Sequence, residues 1–471
     1  MIYLKTLSLW VLALSVHNCY GFFRFDYNKY LKMKKLDTAG GGLNASTLWI
    51  DQPLDHFNPT DTRTWKMRYL ENLSFYQSGG PILLFIGGEG PVQEGWLEFG
   101  LMASFASEVN GAMYQSEHRF YGASIPNDDI SVENLAYLSS AQALADIKNL
   151  MEFLKSQTQF SNSKVVVFGG SYAGNLAAWL RLLYPDLIDA AVSSSGPVLA
   201  KTDYYEYLEV VGSAIKNYGT PDCYDKVAQV FRRYEELLKT ADGIEQLKQE
   251  ESVCDGVDLN VLENQYVFFL AKIAGWAVAV QYGDPDHIRD FCSKNMDGMK
   301  EHTLDDIFYN TWNKELRCSN YDFNMMIEGL QNSKDSKPWI YQTCTEFGYK
   351  MTTTSDNQPF THLPLDFYIK MCTGVFGPEF DQRRIDEGVS KTNDKYGGLT
   401  PNVEKVVFVQ GEIDPWHKLG VLKDLSNEAP ARMIPRASHC SDLVSDDAND
   451  MPERVAVRNF EKQKLKEWIG M

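Results

Sequence analysis

The stretch KVVVFGGSYAGNLAAWLR, Lys164 to Arg181, constrains the fold of this chain more than any other. A β-branched run stops at a glycine pair, a serine follows, and small residues lead into an amphipathic segment. The run reads as a buried strand and the segment beyond it as a helix. A sharp reversal between the two needs small residues on both sides of Ser171. Gly169 supplies one, while Ala173, followed by Gly174, stands where a G-x-S-x-G elbow has glycine. Such a turn lifts the serine hydroxyl clear of the sheet, at a helix N-terminus that favours developing negative charge. Serine is also common as a simple helix cap, so its partners decide between the two readings.

The surrounding pattern is α/β. PILLFIGG and Ala112–Gln115 read as strands, and SSAQALADIKNLMEFLKSQ as a helix with Ser139 or Ser140 at its start. KVVVF and AAVSSSG give two more strands flanking the helix after Ser171. This alternation implies parallel βαβ units and a doubly wound sheet. After Pro197 the character turns helical, as in YDKVAQVFRRYEELLK, and strands return at NVEKVVFVQGEIDPW and ARMIP. The sheet is therefore expected as a first part over 45–198 and a second over 399–471, with a helical cap inserted over 199–398. A closing helix is expected over about 454–468. At 471 residues, more than one unit is the default expectation.

A serine nucleophile needs a base and a group to orient the base. On a sheet of this kind they follow in the order serine, acid, histidine. Asp414 lies just beyond the strand VVFVQG, with Glu412 as its near competitor. His439, in the loop after ARMIP, is the only histidine beyond that strand. His417 comes too early for the pattern, and His118, after an early strand, either lines the site or satisfies the core. His439 must be neutral to accept a proton. The oxyanion needs backbone donors, expected from Tyr172 and from Gly88 or Glu89 in FIGGEGP. No H-E-x-x-H, paired C-x-x-C, P-loop or dinucleotide fingerprint occurs, so no metal or cofactor is expected.

The first residues, MIYLKTLSLWVLALSVHNCYG, carry one lysine and then an apolar run, the pattern of a signal peptide over 1–21. Removing Cys19 from the eight cysteines leaves seven, six of them between Cys223 and Cys372. In an oxidising compartment most should pair. Asn44 and Asn72 head glycosylation sequons. The apolar run from Tyr266 to Tyr282 contains Lys272 and is short for a span, so it reads as a buried helix. The net charge of −18 repels phosphate backbones. The expected partners are peptide substrates and at most a second copy as a homodimer, with no nucleic acid and no stable membrane anchor.

QPLDHF, GGEGP, SEHRFYG, GGSYAG, QTCTEFG, GEIDPW and SHCSDL run in order along nearly the whole chain. In these blocks it resembles the prolyl carboxypeptidase family of serine peptidases, and QTCTEFG is nearest its thymus-specific branch. The resemblance implies an α/β-hydrolase fold with an inserted, mainly helical, disulfide-containing cap. It implies a triad of Ser171, Asp414 and His439, and acyl-enzyme hydrolysis of short peptides at their ends, commonly at proline. It also implies a secreted or lysosomal location. The disulfides it implies are Cys223–Cys292, Cys254–Cys318 and Cys344–Cys372, leaving Cys440 free. Ile340 stands where the dipeptidyl peptidase branch places an acid, which disfavours that mode. Glu346 is either a substrate contact or a tie within the cap. An esterase or lipase on the same fold remains the alternative, because a triad does not choose the leaving group.

Overall fold

The computed structural model describes residues 45–298, 312–313, 318–445 and 449–471; the leader 1–21 and Asn44 lie outside them. Strands β1 (Ser46–Pro53) and β2 (Thr64–Asn72) form an antiparallel hairpin. Then come β3 (Ile82–Phe85), β4 (Ala112–Ser116), β5 (Val165–Gly170) and β6 (Ala190–Ser194). Four short strands follow outside the main sheet: β7 (Lys201–Asp203), β8 (Trp312–Asn313), β9 (Cys318–Ser319) and β10 (Gly348–Lys350). The last two are β11 (Val406–Gly411) and β12 (Ala431–Ile434).

The main sheet has eight strands in the order β1-β2-β4-β3-β5-β6-β11-β12. β2 meets β4 antiparallel, and every pairing from β4 to β12 is parallel. This is the α/β-hydrolase topology. Its parallel strands are apolar on both faces because both faces are covered. Along β5, Val165 and Val167 join one core and Val166 and Phe168 the other. β3 and β11 alternate in the same way, with Leu83 and Val407 in the second core. On that second side lie the helix Gly100–Val109 and the closing helix Pro452–Ile469.

Between β6 and β11 the chain is mostly helical, as in Glu206–Tyr218, Cys223–Leu237, Leu262–Gln281, Leu365–Phe376 and Gln382–Tyr396. Leu262–Gln281 is buried almost all round, which explains its lack of a polar face. Its Lys272 donates to Glu251 at 2.6 Å. Among the described residues, no helix is long and apolar enough to cross a membrane. Disulfides join Cys223 to Cys292, Cys254 to Cys318 and Cys344 to Cys372, all within this stretch. The apolar core here is continuous with the first face of the sheet, so Tyr172, Trp179, Phe347 and Tyr396 belong to one cluster. Trp179 stacks on Tyr396 with ring centres 4.0 Å apart.

Candidate active site

Ser171 links β5 to the helix Tyr172–Leu183 with φ 59° and ψ −133°. A β-substituted residue adopts that conformation only where the surroundings impose it. Two backbone contacts impose it. A Cβ on Gly169 would stand 1.9 Å from the Ala173 carbonyl oxygen, and one on Gly174 would stand 2.7 Å from the Ser194 oxygen. The Ser171 amide donates to Ser194 O at 2.9 Å, and Gly174 N donates back to Ser171 O at 2.8 Å. The Ala173 methyl faces Gly88 across the turn, where even an added Cβ would stand 3.5 Å away, an ordinary contact, so this position has room for a methyl.

Asp414 is fully buried where β11 ends, and His439 follows β12. Nδ1 of His439 lies 2.8 Å from Asp414 Oδ2, and the other carboxylate oxygen accepts from Trp416 N at 3.0 Å. With Asp414 ionised, Nδ1 carries the proton and Nε2 is left to serve as a base. Burial opposes charging of His439, but the Asp414 carboxylate and the adjacent Cys440 thiol outweigh it and hold the imidazole well above its usual range. Glu412, by contrast, is exposed and accepts from Arg436 N at 2.8 Å. His417 is tied to the Asp414 carbonyl at 2.8 Å. His118 is buried between Arg119 O and the Tyr172 hydroxyl, at 2.7 and 3.0 Å, and burial lowers its pKa to about 4. It is a satisfied core histidine.

Ser171, Tyr172, Gly88, Glu89 and His439 line one cleft of about 310 Å³, with Asp414 behind His439. Tyr172 is the first residue of its helix, so its amide lies among the donors a helix start leaves unused. Solvent reaches Glu89, yet the cleft walls surround its carboxyl and push its pKa up. The facing wall comes from the helical stretch and the loop after β11: Trp339, Tyr349, Met351 and Trp416. The Tyr172 and Trp339 rings are 5.6 Å apart, and those of Tyr349 and Trp416 are 5.3 Å apart.

Two cleft features were not read from the sequence. Asp335 lines the cleft from a loop that carries no pattern, and Gln342, buried behind the cleft, joins the two sides. The Gln342 amide donates to the Tyr172 hydroxyl at 2.9 Å and its oxygen accepts from Tyr121 at 2.6 Å. Ile340 is buried and outside the cleft lining. Glu346 accepts from Ser140 N and Oγ, at 2.9 and 2.7 Å, and so ties the helical stretch to the start of a sheet-flanking helix. Asn72 is buried, its Nδ2 donating to Leu97 O at 3.0 Å, so this packing and a glycan on that atom exclude each other. Among the described residues, no cluster of histidine, cysteine and acidic side chains could hold a metal ion.

The sequence pattern of the serine carboxypeptidase S28 family matches residues 52–461. The chain belongs to that family. It is 33% identical over 456 residues to the thymus-specific serine protease of Mus musculus, covering 91% of this chain and 89% of that one. It is 28% identical over 460 residues to the lysosomal Pro-X carboxypeptidase of Bos taurus, covering 91% of this chain and 89% of the relative. As a member of the S28 family, the chain is a serine peptidase, a hydrolase of peptides. Its cleft is therefore to be read against peptide chemistry.

Proposed function

We propose that this serine peptidase is an exopeptidase acting on short peptides with a preference for proline, through an acyl-enzyme. The observation that carries the reading is the strained Ser171 sharing one cleft with a His439 whose Nδ1 is held by buried Asp414. In the proposed cycle, Ser171 Oγ attacks the scissile carbonyl while His439 Nε2 takes its proton. The oxyanion is met by the amides of Tyr172 and of Gly88 or Glu89. His439 then protonates the departing amine, and water repeats the sequence to release the acid. The Trp339, Tyr349 and Trp416 rings offer an apolar corner, with Tyr349 and Trp416 at 77° to each other, against which a pyrrolidine ring packs with little entropy loss. A secretory or lysosomal route fits the three disulfides and the lysosomal relative.

One observation favours a second reading, release of N-terminal dipeptides. Glu89 and Asp335 line the cleft, and a carboxylate is what a substrate ammonium requires. Digestion of a peptide library, read by mass spectrometry, separates the two. The exopeptidase reading expects terminal trimming enriched for proline in the wild type and a loss on the order of 10⁴-fold or more in Ser171→Ala. Dominant N-terminal dipeptides select the second reading. Cleavage that persists in Ser171→Ala removes the serine mechanism altogether.

A further inference from the structure

Beneath the loop that carries His439 lies a pair of carboxyl groups that the hydrolytic cycle does not use. Asp442 comes from that loop and Glu461 from the closing helix Pro452–Ile469, and both are essentially fully buried. Their side chains are close enough that each acts on the other's proton. Asp442 Oδ1 also accepts from Ser194 Oγ at 2.5 Å. Asp442 Oδ2 and both oxygens of Glu461 have no donor among the described residues. Two buried carboxylates facing each other through oxygens that have no donor repel, and Arg458 offsets only part of that repulsion. One proton between them converts the repulsion into a hydrogen bond.

The pair sits where the two halves of the catalytic apparatus join. Ser194 takes the Ser171 amide on its carbonyl and gives its hydroxyl to Asp442. Its neighbour Ser195 accepts the Cys440 amide at 2.9 Å, one residue from His439. Arg458 clasps the loop through the carbonyls of Ser441 and Asp442, at 3.2 and 2.8 Å. We propose that Asp442 and Glu461 share one proton and together act as positioning residues, locking the His439 loop onto the Ser171 elbow through Ser194. This rests on the proposed roles of Ser171 and His439.

Among the described residues, the charged groups that act on the pair are Arg458, on both acids, and Lys462, on Glu461. His439 and Cys440 lie on the same loop as Asp442, Arg458 and Lys462 lie on the closing helix, and β6 contributes the uncharged Ser194. Arg458 is committed to Asp450, and Lys462 to Glu108 on the helix Gly100–Val109 at 2.9 Å. Burial raises both acids of the pair, Glu461 furthest. The shared proton is therefore held to higher pH than an ordinary carboxyl would hold it and leaves to solvent as pH rises, after which the loop is repelled from the elbow and activity falls.

The test is the pH profile of kcat/KM together with the infrared carbonyl band of a protonated carboxylic acid. In the wild type, the band is expected to fade over the same pH interval as the alkaline limb of activity. Glu461→Gln donates an amide hydrogen to Asp442 and cannot ionise. It is expected to keep kcat at neutral pH within about threefold while the alkaline limb moves upward. Asp442→Ala is expected to lower kcat on the order of 10- to 100-fold with KM little changed, as misplaced groups do. The proposal is overturned if the wild-type band is absent or outlasts the alkaline limb. It is also overturned if folded Glu461→Gln retains the wild-type alkaline limb. The wild-type measurement stands even where a variant fails to fold. Failure of the triad reading shows separately, as activity in Ser171→Ala.

Discussion

The two walls of the cleft are built by different means. The Ser171 wall is local: β5, Ser171 and the following helix are consecutive, and a side chain at Gly169 or Gly174 would meet backbone. The facing wall is assembled from distant chain. Trp339 and Tyr349 come from the helical stretch and Trp416 from the loop after β11. Side-chain bonds hold that wall in place, among them Gln342 to Tyr172 and Tyr204 to the Pro415 carbonyl at 2.5 Å. A backbone wall has no flexible atom to yield to an addition, whereas a side-chain wall is altered one residue at a time. The first suits bond-making, the second selection of substrate.

Gly169→Ala is the strongest way to break this contrast. Its methyl would meet the Ala173 carbonyl oxygen at 1.9 Å, so the elbow must move. The expected loss in kcat is on the order of 100-fold or more, measured on any substrate. A folded Gly169→Ala enzyme of wild-type kcat would show that the elbow is not so rigid. Trp339→Ala tests the other wall. Its kcat/KM is expected to fall about 10- to 200-fold on peptides with proline at the cleavage point, and much less on alanine analogues. An equal loss on both would mean that this ring supports the wall instead of reading the substrate.

Lys350, behind the assembled wall on β10, sharpens the comparison through stability. It is buried, donates to Thr343 Oγ1 at 2.8 Å, and burial lowers its pKa to about 7. The unfolded chain holds that proton up to about 10.5, so between about pH 7 and 10.5 the unfolded state binds more protons. The contribution of this group to stability therefore rises with pH across that window. Denaturant titration of Lys350→Met should show that slope removed, with wild-type kcat retained. An unchanged slope would place the titration elsewhere. The smallest effect is expected at Ala173→Gly, because the methyl already fits against Gly88. Activity should stay within about threefold, and a larger gain or loss would mark Ala173 as a tuning position.

Much of this was legible in the residues because it depends on neighbours in the chain. The apolar runs of β3, β5 and β11 announce strands covered on both faces, and the Ser139 hydroxyl caps its helix by accepting from Gln142 N at 3.2 Å. The chain order of Ser171, Asp414 and His439 follows from parallel strands whose loops all open at one end. Glu346 and His118 were ambiguous because their meaning depends on burial, which has no local signature. Asp335 gave no signal at all, and the role of Gln342 within QTCTEFG was not legible, since its partners Tyr121 and Tyr172 lie far away in sequence.

The sequence by itself determined the strand–turn–helix at Ser171, the alternation that makes a parallel sheet, and the residue types available for acyl transfer. These arise from steric and hydrophobic rules acting over a few residues. Only the tertiary structure decided that His439 meets Asp414 at 2.8 Å, that Ala173 faces Gly88 with room for its methyl, and that Asp442 comes to rest beside Glu461 in the interior. Each of these joins elements distant in sequence, and their spacing is set by how a whole sheet and its covering helices exclude water.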